Sequence, residues 1–218
     1  MSDVTVKDAD GNVYQTVEIG NQVWTVENLR TTKFDDGSAI PLVTDTAAWK
    51  GNTTPAYCWY DNDTIYKTKY GALYNWYAVD NKKLAPKGWH VPSDAEWNTL
   101  QNYLIANGYN WDGTTTGNKL AKSLAAKTTD WEPDRTPGTV GNDLSKNNRS
   151  GFSALPGGSR NNVGDFDTVG YLGLWWSATE YDTSDAFTRY FGNEYDDLYR
   201  IHDFKNCGLS VRLVRDSN

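Results

Sequence analysis

The sequence predicts an α+β protein with two helices, a small twisted antiparallel sheet and much irregular loop. Three observations predict this class: a hairpin pattern near the N-terminus, helical patterns in the middle and a strand-rich last third. Only 38% of the 218 residues are apolar, but 14% are aromatic and ten are tryptophan, so few large side chains can build a core. No composition shift or low-complexity linker divides residues 1–218, which are therefore predicted to form a single domain.

A β-hairpin is predicted over residues 12–28, where apolar and polar side chains alternate on both sides of Gly20-Asn21. Its buried face is predicted to consist of Val13, Val17, Ile19, Val23 and Trp24. Residues 30–69 are rich in Asp, Thr, Gly and Pro and are predicted to be irregular.

Helical patterns fill the middle of the chain. A short helix is predicted over residues 70–80 from aromatic and apolar side chains at helical spacing. Ser93 and Glu96 have the spacing of a capping box, which predicts a helix over 93–106 that ends at Asn107-Gly108. Its apolar face is predicted to comprise Trp97, Leu100, Leu104 and Ile105. A further helix, over about 117–127, is predicted to direct Leu120, Ala121 and Leu124 inward and its lysines outward.

The last third begins with two segments rich in glycine and aromatic residues, GFSALPGG at 151–158 and GYLGLWWS at 170–177. Trp175 and Trp176 are predicted to lie in the core, each with an indole N–H that needs a partner. Gly170 and Gly173 beside them are predicted to let the backbone pass closely.

The tract from 181 to 207 interleaves tyrosine and phenylalanine with aspartate and asparagine. Rigid amphipathic rings that alternate with short polar side chains are typical of a recognition surface. A half-buried sheet face explains the same pattern, since Phe187, Arg189 and Phe191 would face one side of a strand and Thr188 and Tyr190 the other. Both interpretations stay open at this point.

Charge and hydropathy exclude some partners. The net charge is −7 and no basic cluster is present, which argues against nucleic acid and against an anionic membrane surface. No stretch of some 18 apolar residues predicts a membrane span, so no direct membrane insertion is expected. The first residues lack the basic and apolar regions of a signal peptide, which indicates either a trimmed chain or a protein not secreted by that route.

Catalytic and metal chemistry have little support. His90 and His202 have no Cys, His or carboxylate cluster at ligand spacing, and His90 is interpreted as a packed structural residue. Asp61-Asn62-Asp63 offers oxygen ligands for calcium, but such residues usually satisfy their own turn. Cys58 and Cys207 are interpreted as free thiols in preference to a disulfide. We therefore expect no cofactor, no metal, no catalytic residue and no enzymatic activity.

Several motifs in one order resemble the Fibrobacter succinogenes major paralogous domain family across about residues 10–216. They are YCWYDND, YGALYNWYAVD, PKGWHVPSDAEWNTL, GFSALPGG, WWSATEY and VRLVRD. The resemblance implies a C-type-lectin-like fold, similar to that of the formylglycine-generating enzymes. The chain has Ala85 and Leu213 where the family pattern has cysteines, which implies that the usual pairing is lost.

Members of this lectin-like class also serve as variable proteins of diversity-generating retroelements. That resemblance implies a binding tract over 159–207 that contacts a protein or glycan ligand on a cell surface. The protein itself is expected to be extracellular or displayed on a cell surface. The alternative location is a phage or tailocin particle. The predicted ligand-binding residues are Ser159, Asn161, Tyr171, Thr188, Tyr190, Asn193, Tyr195, Asp197, Tyr199, His202, Asp203 and Phe204. The alternatives are a structural module of an envelope or tail assembly and, below it, a carboxylate-based hydrolase. The oligomeric state is left open.

Overall fold

The computed structural model describes residues 5–217, and the α+β class predicted from the sequence is confirmed. Within these residues the α-helices are α1 (Thr46–Trp49), α2 (Tyr66–Tyr70), α3 (Trp76–Asp80), α4 (Asp94–Ala106) and α5 (Ala121–Leu124). Single 3-10 turns occur at Tyr60–Asn62 and Leu144–Lys146. The two predicted helices correspond to α4 and α5, and α3 lies within the short helix predicted over 70–80; α1 and α2 are short helical segments that were not predicted.

The strands are two to four residues long except for three consecutive ones in the last third, which have six to nine residues. They are β1 (Val6–Lys7), β2 (Val13–Tyr14), β3 (Thr16–Ile19), β4 (Gln22–Thr25), β5 (Tyr57–Cys58), β6 (Leu73–Tyr74), β7 (Ser159–Arg160), β8 (Phe166–Asp167), β9 (Leu172–Glu180), β10 (Asp185–Gly192), β11 (Tyr199–Phe204) and β12 (Val214–Asp216). Two sheets have three strands, in the orders β11-β10-β9 and β12-β4-β3, and the others are two-stranded. All of these strand pairs are antiparallel.

The predicted hairpin is confirmed as β3 and β4, which pair from Thr16 opposite Thr25 to Ile19 opposite Gln22 around the Gly20-Asn21 turn. All of β4 is buried, because this strand lies between β3 and β12. The prediction that Val13 is buried was wrong: Val13 is 50% exposed. It belongs to β2, which pairs with β1 in a separate sheet and does not extend the hairpin.

Helix α4 has the predicted start, face and end. The Ser93 hydroxyl accepts a hydrogen bond from the Glu96 N–H, and the Ser93 N–H donates to Glu96 Oε2 at 2.8 Å. Trp97, Leu100 and Leu104 are fully buried, while Ile105 is only partly so. Gly108, at φ +70°, follows the last turn in the left-handed conformation that glycine favours.

The helix predicted over 70–80 begins only at Trp76. Leu73 and Tyr74 instead form β6, which pairs with β5. Asn75 then caps α3, because its Oδ1 accepts the N–H groups of Ala78 and Ala56 at 3.2 and 3.0 Å. A strand pairing and a cap thus override the helical spacing.

The helix predicted over 117–127 is shortened to α5. On one side the Lys119 N–H donates to Asn110 Oδ1, and on the other Ala125 is extended and pairs with Ala154. The prediction of outward lysines was wrong for Lys122, which is 5% exposed. Lys122 is buried because α5 has only four residues and loops surround it on each side.

Strand β9 places two tryptophans in two different parts of the core. Successive strand residues point to opposite faces. Trp175 therefore packs with Phe152 and Phe191, while Trp176 joins the cluster around Tyr74. Each indole N–H has a partner, at 2.9 Å from Asn28 Oδ1 and at 2.7 Å from the Tyr74 carbonyl. The predicted core position of both side chains is confirmed.

Close backbone passage at Gly173 is also observed. A Cβ atom there would lie 2.3 Å from the ring of Trp175, which folds back over this residue. Only glycine leaves room for the indole at that distance.

Arg212 is a buried cation whose partners are mainly backbone carbonyls. It is 1% exposed and donates to the carbonyl oxygens of Thr25, Phe152 and Ser153, as well as to Asn28 Oδ1. Its guanidinium also lies 4.6 Å from the ring centre of Phe152. Burial lowers the pKa of Arg212 to about 9. The residue joins the β4 end of the hairpin to the segment that precedes β7.

Candidate ligand-binding surface

Strands β10 and β11 carry the centre of the predicted binding tract, and β11 is at the edge of its sheet. The register places Tyr190 opposite Tyr199 and Arg189 opposite Arg200. Opposite residues of an antiparallel pair share a face, and neighbours along a strand alternate. The two strands therefore have a tyrosine face, with Tyr190 and Tyr199, and an arginine face, with Arg189 and Arg200.

Three tyrosines on and beside the tyrosine face contact one another and are called the tyrosine cluster. Tyr190 stacks on Tyr199 with ring centres 5.1 Å apart, and Tyr195 meets them edge-on at 6.0 and 5.3 Å. All three are partly exposed. Their hydroxyl groups make no hydrogen bond to another residue of 5–217. Burial raises the pKa of Tyr190 and of Tyr199, which keeps both hydroxyl groups protonated and able to donate.

A carboxylate lies on the same face. Asp203 is partly exposed and accepts a hydrogen bond from the Thr188 hydroxyl at 3.0 Å. Thr188 itself is fully buried, so it holds Asp203 in place and does not form part of the exposed surface. Burial raises the pKa of Asp203. The face thus combines aromatic rings with one oriented hydrogen-bond acceptor.

The loop that carries Tyr195 is fixed through its backbone. The Asn193 N–H donates to the Tyr171 carbonyl at 2.9 Å, and the Asn193 carbonyl accepts from the Gly141 N–H at 2.7 Å. Asn193 is 8% exposed, whereas Tyr171 is 52% exposed at the border of this loop. Asp197 is partly exposed, and burial together with the neighbouring Asp196 raises its pKa.

Two of the predicted ligand-binding residues instead form hydrogen bonds within the hairpin of β7 and β8. Ser159 is 8% exposed and its hydroxyl donates to Asp167 Oδ1 at 2.7 Å. Asn161 accepts from the N–H groups of Val163 and Asp165 with its Oδ1. Both side chains are occupied within β7, β8 and their turn, so the structure does not add them to the tyrosine cluster.

His202 and Phe204 lie on the arginine face, since they pair with Phe187 and Asp185. The His202 ring stacks on Tyr181 at 3.9 Å and its Nδ1 lies 2.7 Å from Asp185 Oδ2. Phe204 is 51% exposed. These two residues are therefore separated from the tyrosine cluster by the sheet itself.

The arginine face is tied to α4 by Asp94. Its carboxylate lies 2.7 Å from the buried Arg189 and accepts two groups of Arg200 at 2.9 and 3.0 Å. Arg200 also lies 3.9 Å from the ring centre of Phe187. Burial acts to raise the pKa of Asp94, but the two arginines outweigh it and hold that pKa below its usual value. Asp94 thus anchors the arginine face to α4, although Arg200 and Phe204 on that face are exposed, while the tyrosine face is partly exposed at its three tyrosines and at one neighbouring residue of β11.

One exposed residue of the tyrosine face was not among the predicted ligand-binding residues. Ile201 pairs with Thr188, shares the tyrosine face and is 36% exposed. The alternation of side chains along β11, counted from Tyr199, would have identified it.

No group of three or more His, Cys, Asp or Glu side chains that could hold a metal ion occurs within residues 5–217. Asp61 and Asn62 have φ of 50° and 55°, and the Asn62 side chain donates to the Thr44 carbonyl. Asp63 accepts from the Ile65 N–H and so satisfies its own turn, whereas the Asn62 Oδ1 is buried without a partner within residues 5–217. Over the same residues no helix has the length and hydropathy to cross a membrane.

The two cysteines are buried, whereas His90, interpreted from the sequence as a packed residue, is exposed. Cys58 and Cys207 are free and buried, as interpreted from the sequence, and burial raises the pKa of each thiol to about 12. A thiol with such a pKa is a poor nucleophile at neutral pH. His90 forms a short hydrogen bond with Glu96, which raises the pKa of the imidazole.

The fold and this surface define an α+β protein with an open aromatic face on an edge of its longest sheet. The chain belongs to the Fibrobacter succinogenes major domain family, whose model matches residues 17–215. The family resemblance predicted from the sequence motifs is therefore confirmed. No curated protein and no solved structure matches the chain, so the likeness to C-type lectins stays a prediction.

Proposed function

We propose that this protein is a non-enzymatic recognition protein that binds a protein or glycan ligand through the tyrosine cluster and its polar neighbours. The observation that carries the proposal is the cluster itself. Three rings are in mutual contact and partly exposed, and their hydroxyl groups have no partner within residues 5–217. Tyrosines that serve only as core residues usually have a hydrogen-bond partner for the buried hydroxyl.

Binding energy would come from covering these rings. Tyrosine offers a large, rigid contact area at low entropic cost, and tyrosine is enriched among residues that dominate interfaces. Asp203 adds orientation, because a carboxylate held by Thr188 accepts hydrogen bonds in a defined direction. Asn193, Asp197, Tyr171 and Ile201 border the same surface. His202, Phe204, Ser159 and Asn161 take no direct part in this proposal.

The proposal includes the setting predicted from the sequence. The protein is displayed outside the cell or carried on a phage or tailocin particle, and its tract 159–207 is diversified by a retroelement. The fixed arginine face supports this, because strands anchored by Asp94 tolerate changes on their opposite face. The alternative is a structural module of an envelope or tail assembly, in which the tyrosine cluster has no ligand.

The test is binding of the purified protein to glycan arrays and to arrays of bacterial surface proteins. The variant combines Tyr190→Ala, Tyr195→Ala and Tyr199→Ala. Its matched control is Tyr103→Ala, which removes a 39% exposed tyrosine on α4. Near-ultraviolet circular dichroism and thermal unfolding establish that each variant is folded.

We expect a ligand that the parent and Tyr103→Ala bind and that the folded triple variant has lost. Binding that survives in the triple variant places recognition elsewhere and contradicts the proposal. An absence of binding by the parent on both arrays favours the structural module.

A further inference from the structure

A second concave site lies away from the tyrosine face. It is a cavity of about 240 Å³ between α5, residues 137–149 and the segment at Asn110 and Trp111. Three cationic side chains line it, from Lys122, Lys146 and Arg149, and no acidic residue is among its lining residues. In a chain with 28 acidic and 21 basic residues, a cavity whose charged lining residues are all cationic is a local reversal of charge, which Asp143 beside Lys146 offsets in part.

Lys122 is the buried cation of this cavity. Its ammonium donates to the carbonyl oxygens of Thr139, at 3.0 Å, and Asn142. An ammonium group has three donors, so one remains after these two bonds. No carboxylate within residues 5–217 forms a salt bridge with Lys122. Buried charges are normally paired, so the free donor of this group provides a place for an anion.

Lys146 and Arg149 add charge at the more exposed side. Lys146 has a 75% exposed side chain and lies 3.1 Å from Asp143. Arg149 donates one Nη1 bond to the Gly108 carbonyl at 2.6 Å, and its guanidinium lies 5.0 Å from the ring centre of Tyr109. Most donors of this guanidinium make no hydrogen bond to the described part of the chain, residues 5–217, and its planar fork matches the geometry of a carboxylate.

One wall of the cavity is apolar and rigid. Trp111 is 42% exposed, and its ring lies against Gly138, where a Cβ atom would be 2.2 Å from the indole. Its Nε1 donates to Asp196 Oδ2 at 3.3 Å, which fixes the plane of the ring. Pro137 extends the same wall. A half-exposed indole held beside three cations has the composition of a small-ligand site, in which apolar contacts bind and few polar groups orient.

We propose that this cavity binds a small organic carboxylate with an apolar face, the chemistry shared by hexuronates and aromatic acids. Lys122 and Arg149 contact the carboxylate, Lys146 adds to the positive potential, and Trp111 covers the apolar face of the ligand. An inorganic anion uses the cations alone and leaves the indole wall without a partner. The site uses no residue of the tyrosine cluster, although the loop around it is hydrogen-bonded to the loop that carries Tyr195, and its ligand does not depend on the function of that cluster.

The test uses the ¹⁵N-labelled chain in a zwitterionic buffer without added salt, titrated with D-glucuronate, benzoate, D-glucose and inorganic phosphate. The signal is the indole N–H resonance of Trp111, identified by its absence from a Trp111→Phe variant. The binding variant is Lys146→Gln with Arg149→Gln, which keeps buried Lys122 in place. Its matched control is Lys50→Gln with Lys87→Gln, which removes the same charge at exposed positions outside the cavity.

Glucuronate or benzoate is expected to shift the Trp111 resonance to saturation. Loss of the contacting guanidinium of Arg149 and of the nearby charge of Lys146 is expected to weaken that binding about tenfold or more, while the control stays within about twofold. No saturable shift with either carboxylate overturns the proposal. So does an equal effect of glucose, an effect of phosphate alone, or equal weakening in the control variant.

Discussion

The tryptophans of β9 and the tyrosines of β10 and β11 are large aromatic residues of one sheet, yet their surroundings differ. Trp175 and Trp176 are fully buried, and each indole N–H has a hydrogen-bond partner. The tyrosine cluster is partly exposed, and its hydroxyl groups have no partner within residues 5–217. Aromatic content alone therefore does not distinguish a core from a surface, whereas the exposure of each ring does.

The largest expected effect belongs to the core. Trp175→Ala removes a fully buried ring that packs against Phe152 and Phe191, and should lower the free energy of unfolding by about 3–5 kcal/mol. Urea denaturation followed by circular dichroism measures this change. Tyr195→Ala, which removes a partly exposed ring, is the control and should cost much less. Similar costs for the two variants would contradict the distinction between core and surface.

A variant of Asp94 tests how much its ion pairs on the arginine face stabilise β10 and β11. Asp94→Asn leaves the buried guanidinium of Arg189 without its carboxylate, which should cost about 3 kcal/mol of stability at neutral pH. Urea titration measures the loss. Asp143→Asn removes an exposed ion pair and should change stability far less than Asp94→Asn does.

The carboxylate of Asp94 also makes the stability of the fold depend on pH, in a direction that its lowered pKa determines. The two arginines hold the pKa of folded Asp94 below its usual value of 3.8. Its contribution to stability is therefore present above that value and is lost as the pH falls through the lower, folded pKa. Stability measured between neutral and acidic pH should decline less steeply below pH 3.8 in Asp94→Asn than in the parent. Parallel declines would show that other carboxylates dominate.

Two tryptophan-to-phenylalanine changes separate packing from hydrogen bonding. The indole N–H of Trp175 donates to Asn28, whereas the equally buried N–H of Trp97 has no partner within residues 5–217. Trp175→Phe should therefore cost about 1 kcal/mol more than Trp97→Phe, since only the first loses a hydrogen bond. Thermal and urea unfolding of both variants measure the difference, and an equal or reversed order contradicts it.

The smallest effect on stability is expected at the surface. Changing Tyr190, Tyr195 and Tyr199 to phenylalanine removes hydroxyl groups without partners within residues 5–217 and should alter stability by less than about 0.5 kcal/mol. Binding of any ligand found on the arrays should nevertheless weaken, because these hydroxyl groups are the donors of the proposed surface. A clear loss of stability would show that the hydroxyl groups serve the fold.

Features encoded by local sequence were predictable. The capping box at Ser93 and Glu96 determined the start of α4, and the turn at Gly20-Asn21 determined the hairpin. The core position of Trp175 and Trp176 followed from their size and from the flanking glycines. In each case a few neighbouring residues contain the physical reason.

Features that depend on distant partners were not predictable. Residues 73–74 look helical but pair with β5, and Lys122 looks exposed but is enclosed by a loop some 20 residues away. The binding tract was predicted as a set of residues, but only strand register decides which side each one faces. The strand register places His202 on the arginine face and Tyr190 on the tyrosine face.

Arg212 shows how such a loop-rich protein can change its sequence and keep its shape. Three of its partners are main-chain oxygens, at Thr25, Phe152 and Ser153. A main-chain oxygen is present whichever side chain a residue carries. Mutations that accumulate at these three positions over evolutionary time therefore leave the acceptors in place, and the arginine continues to join the same two segments.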